Sequence, residues 1–97
     1  MTTYISLLNF TDQGMETIGN AISEVDYLAE RAQQYDCTLQ SYWTVGPYDI
    51  VLILEAPDDE SATAFFLYAG SRGAVRTTTL RAHDREEMSR ILGRLGY

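Results

Sequence analysis

Lysine is absent from this chain, and in its 97 residues there are one cysteine, one histidine, one tryptophan and two prolines. Each shortage excludes something. A lone thiol, Cys37, closes no internal disulfide, which fits a reducing compartment. It stands where a strand begins, with nothing near it in sequence to activate it as a nucleophile. A lone imidazole, His83, makes no triad, because neither Ser41 nor Cys37 lies in a nucleophile-elbow pattern and no acid partner is spaced to complete one. Basic charge is scarce too. Seven arginines face fourteen carboxylates, a net charge of −7, which argues against a nucleic-acid partner, whose affinity rests on cations displacing condensed counterions. An anionic membrane surface is disfavoured for the same reason. No apolar run approaches the ~20 residues of a membrane span, and Met1 to Phe10 lacks a basic leader. A soluble, cytoplasmic protein without nucleic-acid or membrane partners is expected.

What the chain does have is core material. Apolar residues make up 45% and aromatics 11%, enough to offset the entropy of ordering. Its length implies a single domain over residues 1–97, burying roughly two thirds of the surface the unfolded chain exposes.

The apolar pattern changes period along the chain. Tyr4 to Phe10 (YISLLNF) reads as a strand, and Thr11-Asp12 as a helix entry. From Asp12 to about Gln34, Met15, Ile18, Ile22, Val25, Leu28, Ala29 and Ala32 recur at helical spacing. Gly14, Gly19 and Asn20 imply a short helical turn and a bend before the longer helix. Cys37 to Thr44 reads as a strand with one wet side, Val45-Gly46-Pro47-Tyr48 as a turn and Asp49 to Glu55 as an apolar strand. Asp58 is the natural cap of a helix carrying Ala62, Phe65, Phe66 and Ala69 that stops near Gly70 or Gly73. Ala74 to Ala82 is a β-branched strand, and Asp84 to Leu95 an amphipathic helix bearing Met88, Ile91, Leu92 and Leu95.

This order predicts an α+β, ferredoxin-like βαββαβ fold: a four-stranded antiparallel sheet of order 4-1-3-2 plus a C-terminal helix. Both crossover helices lie on one face of such a sheet. The third strand nevertheless presents Ile50, Leu52 and Leu54 on one phase and Val51 and Ile53 on the other, so the second face is apolar as well. Wet side chains there would forgo roughly 1.5 to 3 kcal/mol each, and contiguous patches of this kind mark interfaces. A second copy of the chain is the expected cover, giving a homo-oligomer of the dimeric α+β barrel type. The C-terminal helix is the rival cover.

Candidate site residues are dispersed. Asp49 and Glu55 stand about 20 Å apart at ~3.3 Å per residue, too far for a catalytic carboxylate pair. Asp49 is read as bonding backbone at the turn, with a ligand role as the alternative. Asp58, Asp59 and Glu60 are read as helix-start residues, not a metal site, and Gly70 to Gly73 follows a helix and lacks the lysine of a phosphate loop. Arg76 and Arg81 flank TTTL and point to opposite faces of the last strand; a phosphate or carboxylate would want such a guanidinium with the hydroxyls of Thr77, Thr78 and Thr79 nearby, unless the charges only guard a sheet edge. Tyr4, Tyr42, Trp43 and Tyr48 form either the wall of a flat pocket or packing.

Gly46-Pro47-Tyr48-Asp49, followed by IVLILEAPDDESA, together with GAVRTTTLRA at Gly73 to Ala82 and TDQG at Thr11 to Gly14, resembles the GYD-domain family. Its Gly-x-Tyr-Asp motif is met by Gly46, Tyr48 and Asp49. The resemblance covers nearly the whole chain and implies a ferredoxin-like, oligomeric fold with no established activity. Two places depart from the family pattern: Asn20 to Glu24 lacks the usual proline and basic residue, and His83 stands where an aromatic is common. The expectation is thus a non-enzymatic homo-oligomeric module without cofactor, binding a small anionic or aromatic metabolite through Tyr4, Tyr42, Trp43, Tyr48, Asp49, Arg76, Thr78 and His83. The alternative is a cofactor-independent oxygenase or isomerase, which should hold a preformed cavity of roughly 300 Å³ or more with converging polar groups.

Overall fold

A computed structural model describes residues 1–97, and it has the expected element order. β1 (Thr2–Phe10) leads through α1 (Asp12–Glu16) and a 3₁₀ turn (Ile18–Asn20) into α2 (Ala21–Gln33). β2 (Thr38–Trp43), β3 (Ile50–Ala56), α3 (Asp59–Ser71), β4 (Val75–Ala82) and α4 (Arg85–Arg94) complete the chain. The strands form one antiparallel sheet of order β2-β3-β1-β4, the predicted order read from the other edge. The two most apolar strands occupy the centre.

Local chemistry sets the boundaries. The Asp58 carboxylate accepts the Ser61 amide at 2.8 Å and starts α3, and Asp84 with Glu87 forms a reciprocal capping box on α4. Thr11 caps α1 through the Gly14 amide at 3.1 Å, while its own amide donates to the Ala74 carbonyl and its hydroxyl to the Gly73 carbonyl. These bonds fasten α1 to the turn between α3 and β4. Gly14 permits the approach, since a Cβ there would lie 2.1 Å from the Ala74 oxygen.

The core lies between the sheet and the crossover helices. Leu8, Ile50, Leu52 and Leu54 meet Val25, Leu28, Ala32, Ala62, Phe65 and Ala69 there. The helical stripe read from the sequence holds only in part: Val25, Leu28 and Ala32 are buried, whereas Met15, Ile18 and Ile22 are exposed. Met15 and Ile18 belong to α1 and the 3₁₀ turn, outside α2, and Ile22 in the first turn of α2 lies about 90° around the axis from the face of Val25, Leu28 and Ala32 at ~100° per residue.

The other face of the sheet has no cover within the chain. Strand register sets Tyr42, Val51, Leu7 and Thr78 in one row across it, and Gln40, Ile53, Ile5 and Leu80 in the next. α4, the rival cover, buries none of its residues. The Cα extents of 52 × 31 × 17 Å leave thickness for the sheet and one helical layer.

Candidate functional site

Three features remain once the core is accounted for: the open face of the sheet, a cavity under α1 and α2, and a more open hollow of about 260 Å³ beside α3 lined by Tyr4, Thr63, Phe66, Leu67, Thr77 and Thr79. On the open face Ile5, Leu7, Val51 and Ile53 are half-buried, and Tyr42 and Leu80 are about half exposed at 58% and 48%. Arg76 lies at the Asn9 end of this strip. Glu55 lies at the opposite end, its carboxylate accepting from the Thr3 hydroxyl at 2.9 Å.

The cavity has a volume of about 230 Å³ and lies under α1 and the first half of α2. Leu8, Ile50, Leu52, Val25 and Leu28 make its apolar floor, and Gln13, Thr17, Asn20, Glu24 and Arg72 its polar side. Its origin is local. Bonds from Thr11, and from the Gln13 amide to the Arg72 carbonyl at 3.1 Å, hold α1 against the α3–β4 turn, while the small side chains of Ala21, Ala69 and Ala74 line the gap.

Glu24 of α2 and Arg72, just past α3, form a fork-to-fork ion pair: Arg72 Nε donates to Glu24 Oε1, and Nη2 to Oε2 at 3.0 Å. Nη1 donates to the Tyr68 hydroxyl at 3.2 Å, and the Tyr68 and Tyr27 hydroxyls share a bond at 3.1 Å. The guanidinium carbon sits 4.5 Å from the centre of the Tyr27 ring, and that of Arg31 4.2 Å from the centre of the Tyr68 ring. The bond from Arg72 holds the Glu24 carboxyl below its ordinary range against a smaller opposing effect of burial. Arg72 is correspondingly more firmly protonated, first through Glu24.

The eight residues singled out in the sequence do not converge. Tyr42, Arg76 and Thr78 lie on the open face, and Trp43 pairs with Ile50 on the helix side of an edge strand. Tyr4 faces the helices, donating to Asp59 on α3, a bond that raises its pKa. Tyr48 belongs to the turn, where its carbonyl accepts from the Thr44 hydroxyl at 2.7 Å. The Asp49 carboxylate accepts the Phe10 amide at 2.8 Å and its own amide donates to Leu8, so this side chain ties the turn to β1. His83 lies beyond β4, 3.3 Å from Glu87, which it and Arg81 hold more acidic than usual. Cys37 is buried, and burial raises its thiol pKa, away from a reactive thiolate.

None of these eight lines the cavity. Its polar residues were missed because Glu24 and Arg72 are 48 apart in sequence, and only the helix-breaking Gly19-Asn20 marked the place. The structure holds no cluster of three or more His, Cys, Asp or Glu placed for a metal ion. No helix is long and apolar enough to cross a membrane.

Comparison with known proteins points one way. The family model described as the GYD domain matches residues 4–92. A Thermus thermophilus protein named "Glutamine synthetase and cystathionine beta-lyase binding protein" is 39% identical over 85 residues, which cover 84% of this chain and 88% of that one. The crystal structure of TTHA0845, also from Thermus thermophilus, superposes with a TM-score of 0.56 at 28% identity, over 88% of this chain and all of the other. The structural-genomics protein YJCS, at 14% identity and a TM-score of 0.57, also covers 88% of this chain and all of its own; it shares the fold.

Proposed function

This chain belongs to the GYD domain family, and from that premise we propose that it is a non-enzymatic, homo-oligomeric binding module that docks onto a larger enzyme and takes up a small metabolite. The observation that carries the self-association is the strip of Ile5, Leu7, Val51 and Ile53 on a sheet face that α4 leaves open. A second copy is the occupant that fits it. The face is apolar in the middle and bears Arg76 at one end and Glu55 at the other, so a two-fold axis that reverses strand direction turns each charged end toward its opposite. Four strands at ~4.8 Å and four rows at ~6.6 Å give a footprint of roughly 500 Å², short of the ~800 Å² per partner of a standard interface. α4 supplies the remainder. It stands away from its own body with Met88, Leu92 and Leu95 exposed, in position to embrace the partner.

The docking half rests on the name of the 39% identical relative, which records binding to glutamine synthetase and cystathionine β-lyase. The oxygenase or isomerase alternative has less behind it: the cavity under α1 and α2 is about 230 Å³ with no tyrosine, histidine, cysteine or tryptophan in its lining, and the more open hollow of about 260 Å³ beside α3 offers only Tyr4, whose hydroxyl already donates to Asp59, and threonines as polar groups. Light scattering on the purified protein at micromolar concentration tests the self-association. A multiple of the 10.9 kDa chain mass is expected, falling to one chain in Ile53→Lys. A monomeric wild type sinks this half of the reading, and failure to retain glutamine synthetase or cystathionine β-lyase from the same cells sinks the docking half.

A further inference from the structure

We propose that the cavity beneath α1 and α2 is a binding site for a free amino acid with an apolar side chain. This deepens the small-molecule part of the proposed function and rests on it; it is independent of the self-association.

Size and floor define one half of the ligand. A bound water needs about 10–15 Å³, so about 230 Å³ admits a molecule of amino-acid size. The floor of Leu8, Ile50, Leu52, Val25 and Leu28 offers waters few partners, and an apolar body displaces such water favourably.

The mouth defines the other half. A simple anion meets in Arg72 a guanidinium already neutralised by Glu24, on a protein of net charge −7. A simple cation meets a Glu24 that is already paired. A zwitterionic head suits both at once. Arg72 uses three of its five N–H groups, two on Glu24 and one on Tyr68, which leaves two for a ligand carboxylate. Glu24 keeps free lone pairs for an ammonium, and the Asn20 side chain, which does not cap α2, adds an unengaged amide beside it. The Tyr27 ring under the guanidinium fixes the plane of the fork, so the donors are oriented before the ligand arrives. Adding the zwitterion to the pair makes a ring of alternating charge without burying a net charge.

The test uses the full-length protein and L-leucine, followed by amide-resolved NMR titration and calorimetry. Shifts are expected at Leu8, Ala21, Val25 and Ala69. Three analogues each lack one part of the ligand: 4-methylpentanoate the ammonium, 3-methylbutylamine the carboxylate and glycine the apolar body. Each should bind at least about tenfold more weakly, the loss expected for one charged hydrogen bond or one buried side chain. Ala21→Leu fills the mouth and should abolish binding. Glu24→Gln preserves volume and sits at the surface, so it covers the case in which Ala21→Leu does not fold; it should weaken leucine at least about tenfold. Absence of any shift with millimolar leucine overturns the proposal, as does equal binding of 4-methylpentanoate or of Glu24→Gln. Light scattering on the same samples reads the oligomer separately, so loss of this site and loss of self-association are distinguishable.

Discussion

Gly14 has no room for a side chain, because a Cβ there would meet the Ala74 carbonyl oxygen at 2.1 Å and the Phe10 ring at 3.3 Å. The first of these is backbone and cannot rotate away. Gly14→Ala is therefore expected to cost about 1–3 kcal/mol, the range of overpacked sites, read as a lower urea midpoint with an unchanged slope. Gly19→Ala is the control: its Cβ meets nothing within 4 Å, and the change should be neutral or slightly stabilising. Both glycines looked alike in the sequence, as interruptions of a helical pattern. What separates them is a contact with a turn 60 residues on (Gly14 to Ala74), which no local pattern encodes. Other single residues were legible because their partners are close in sequence. Asp58 caps α3 through an amide three residues away, whereas Asp49, read as bonding backbone at its own turn, bonds backbone on β1. The partner it found, the Phe10 amide, depended on the sheet.

Elements show the same division. Element order and strand centrality followed from apolar period and from the fixed hand of crossovers, whereas the outward face of Met15, Ile18 and Ile22 depended on where α1 and the 3₁₀ turn break off and on which side of α2 meets the sheet. The clamp joining α2 to α3 was illegible because Glu24 and Arg72 meet only when both helices lie on the sheet. Its pH response has a definite sign. Glu24 has an ordinary value of 4.5 that Arg72 lowers in the folded state, so the stabilisation is fully present above the unfolded-state value and is lost as pH falls through the folded one. Both side chains are about one third exposed, and solvent screening limits the effect to roughly 1 kcal/mol. Urea midpoints of wild type and Glu24→Gln should therefore converge as pH drops below about 4.5 and differ at pH 7. α4 poses the opposite case, an element secured by its own capping box but buried nowhere. Under the proposed self-association, a chain ending at Ala82 should keep its far-UV sheet signal and thermal cooperativity, yet dissociate at concentrations at least tenfold higher than the full chain, given the roughly 1.5–3 kcal/mol per apolar side chain that α4 would bring to a second copy. Unchanged dissociation would remove α4 from the proposed interface.

At the scale of the whole molecule, a two-layer body 17 Å thick with apolar residues on both faces of its central strands has half of its sheet without a core. The sequence already posed this problem in β3, where both phases are apolar, but it left the C-terminal helix and a second copy as competing covers. Only the placement of α4, away from the sheet, removes the first. If the second copy completes the core, association is coupled to folding, and stability becomes a function of protein concentration. Tenfold dilution costs a two-chain equilibrium about 1.4 kcal/mol, or about 0.7 per chain, which for a domain near 100 residues lowers Tm by roughly 3–6 °C. Melting curves from micromolar to hundreds of micromolar should therefore shift steadily in the wild type. Ile53→Lys places a charge in the middle of the apolar strip and should give a lower Tm that does not move with concentration. A wild-type Tm equally indifferent to dilution would mean that the open face is stable in water by itself, and the function would then have to be sought on the helix side of the sheet alone.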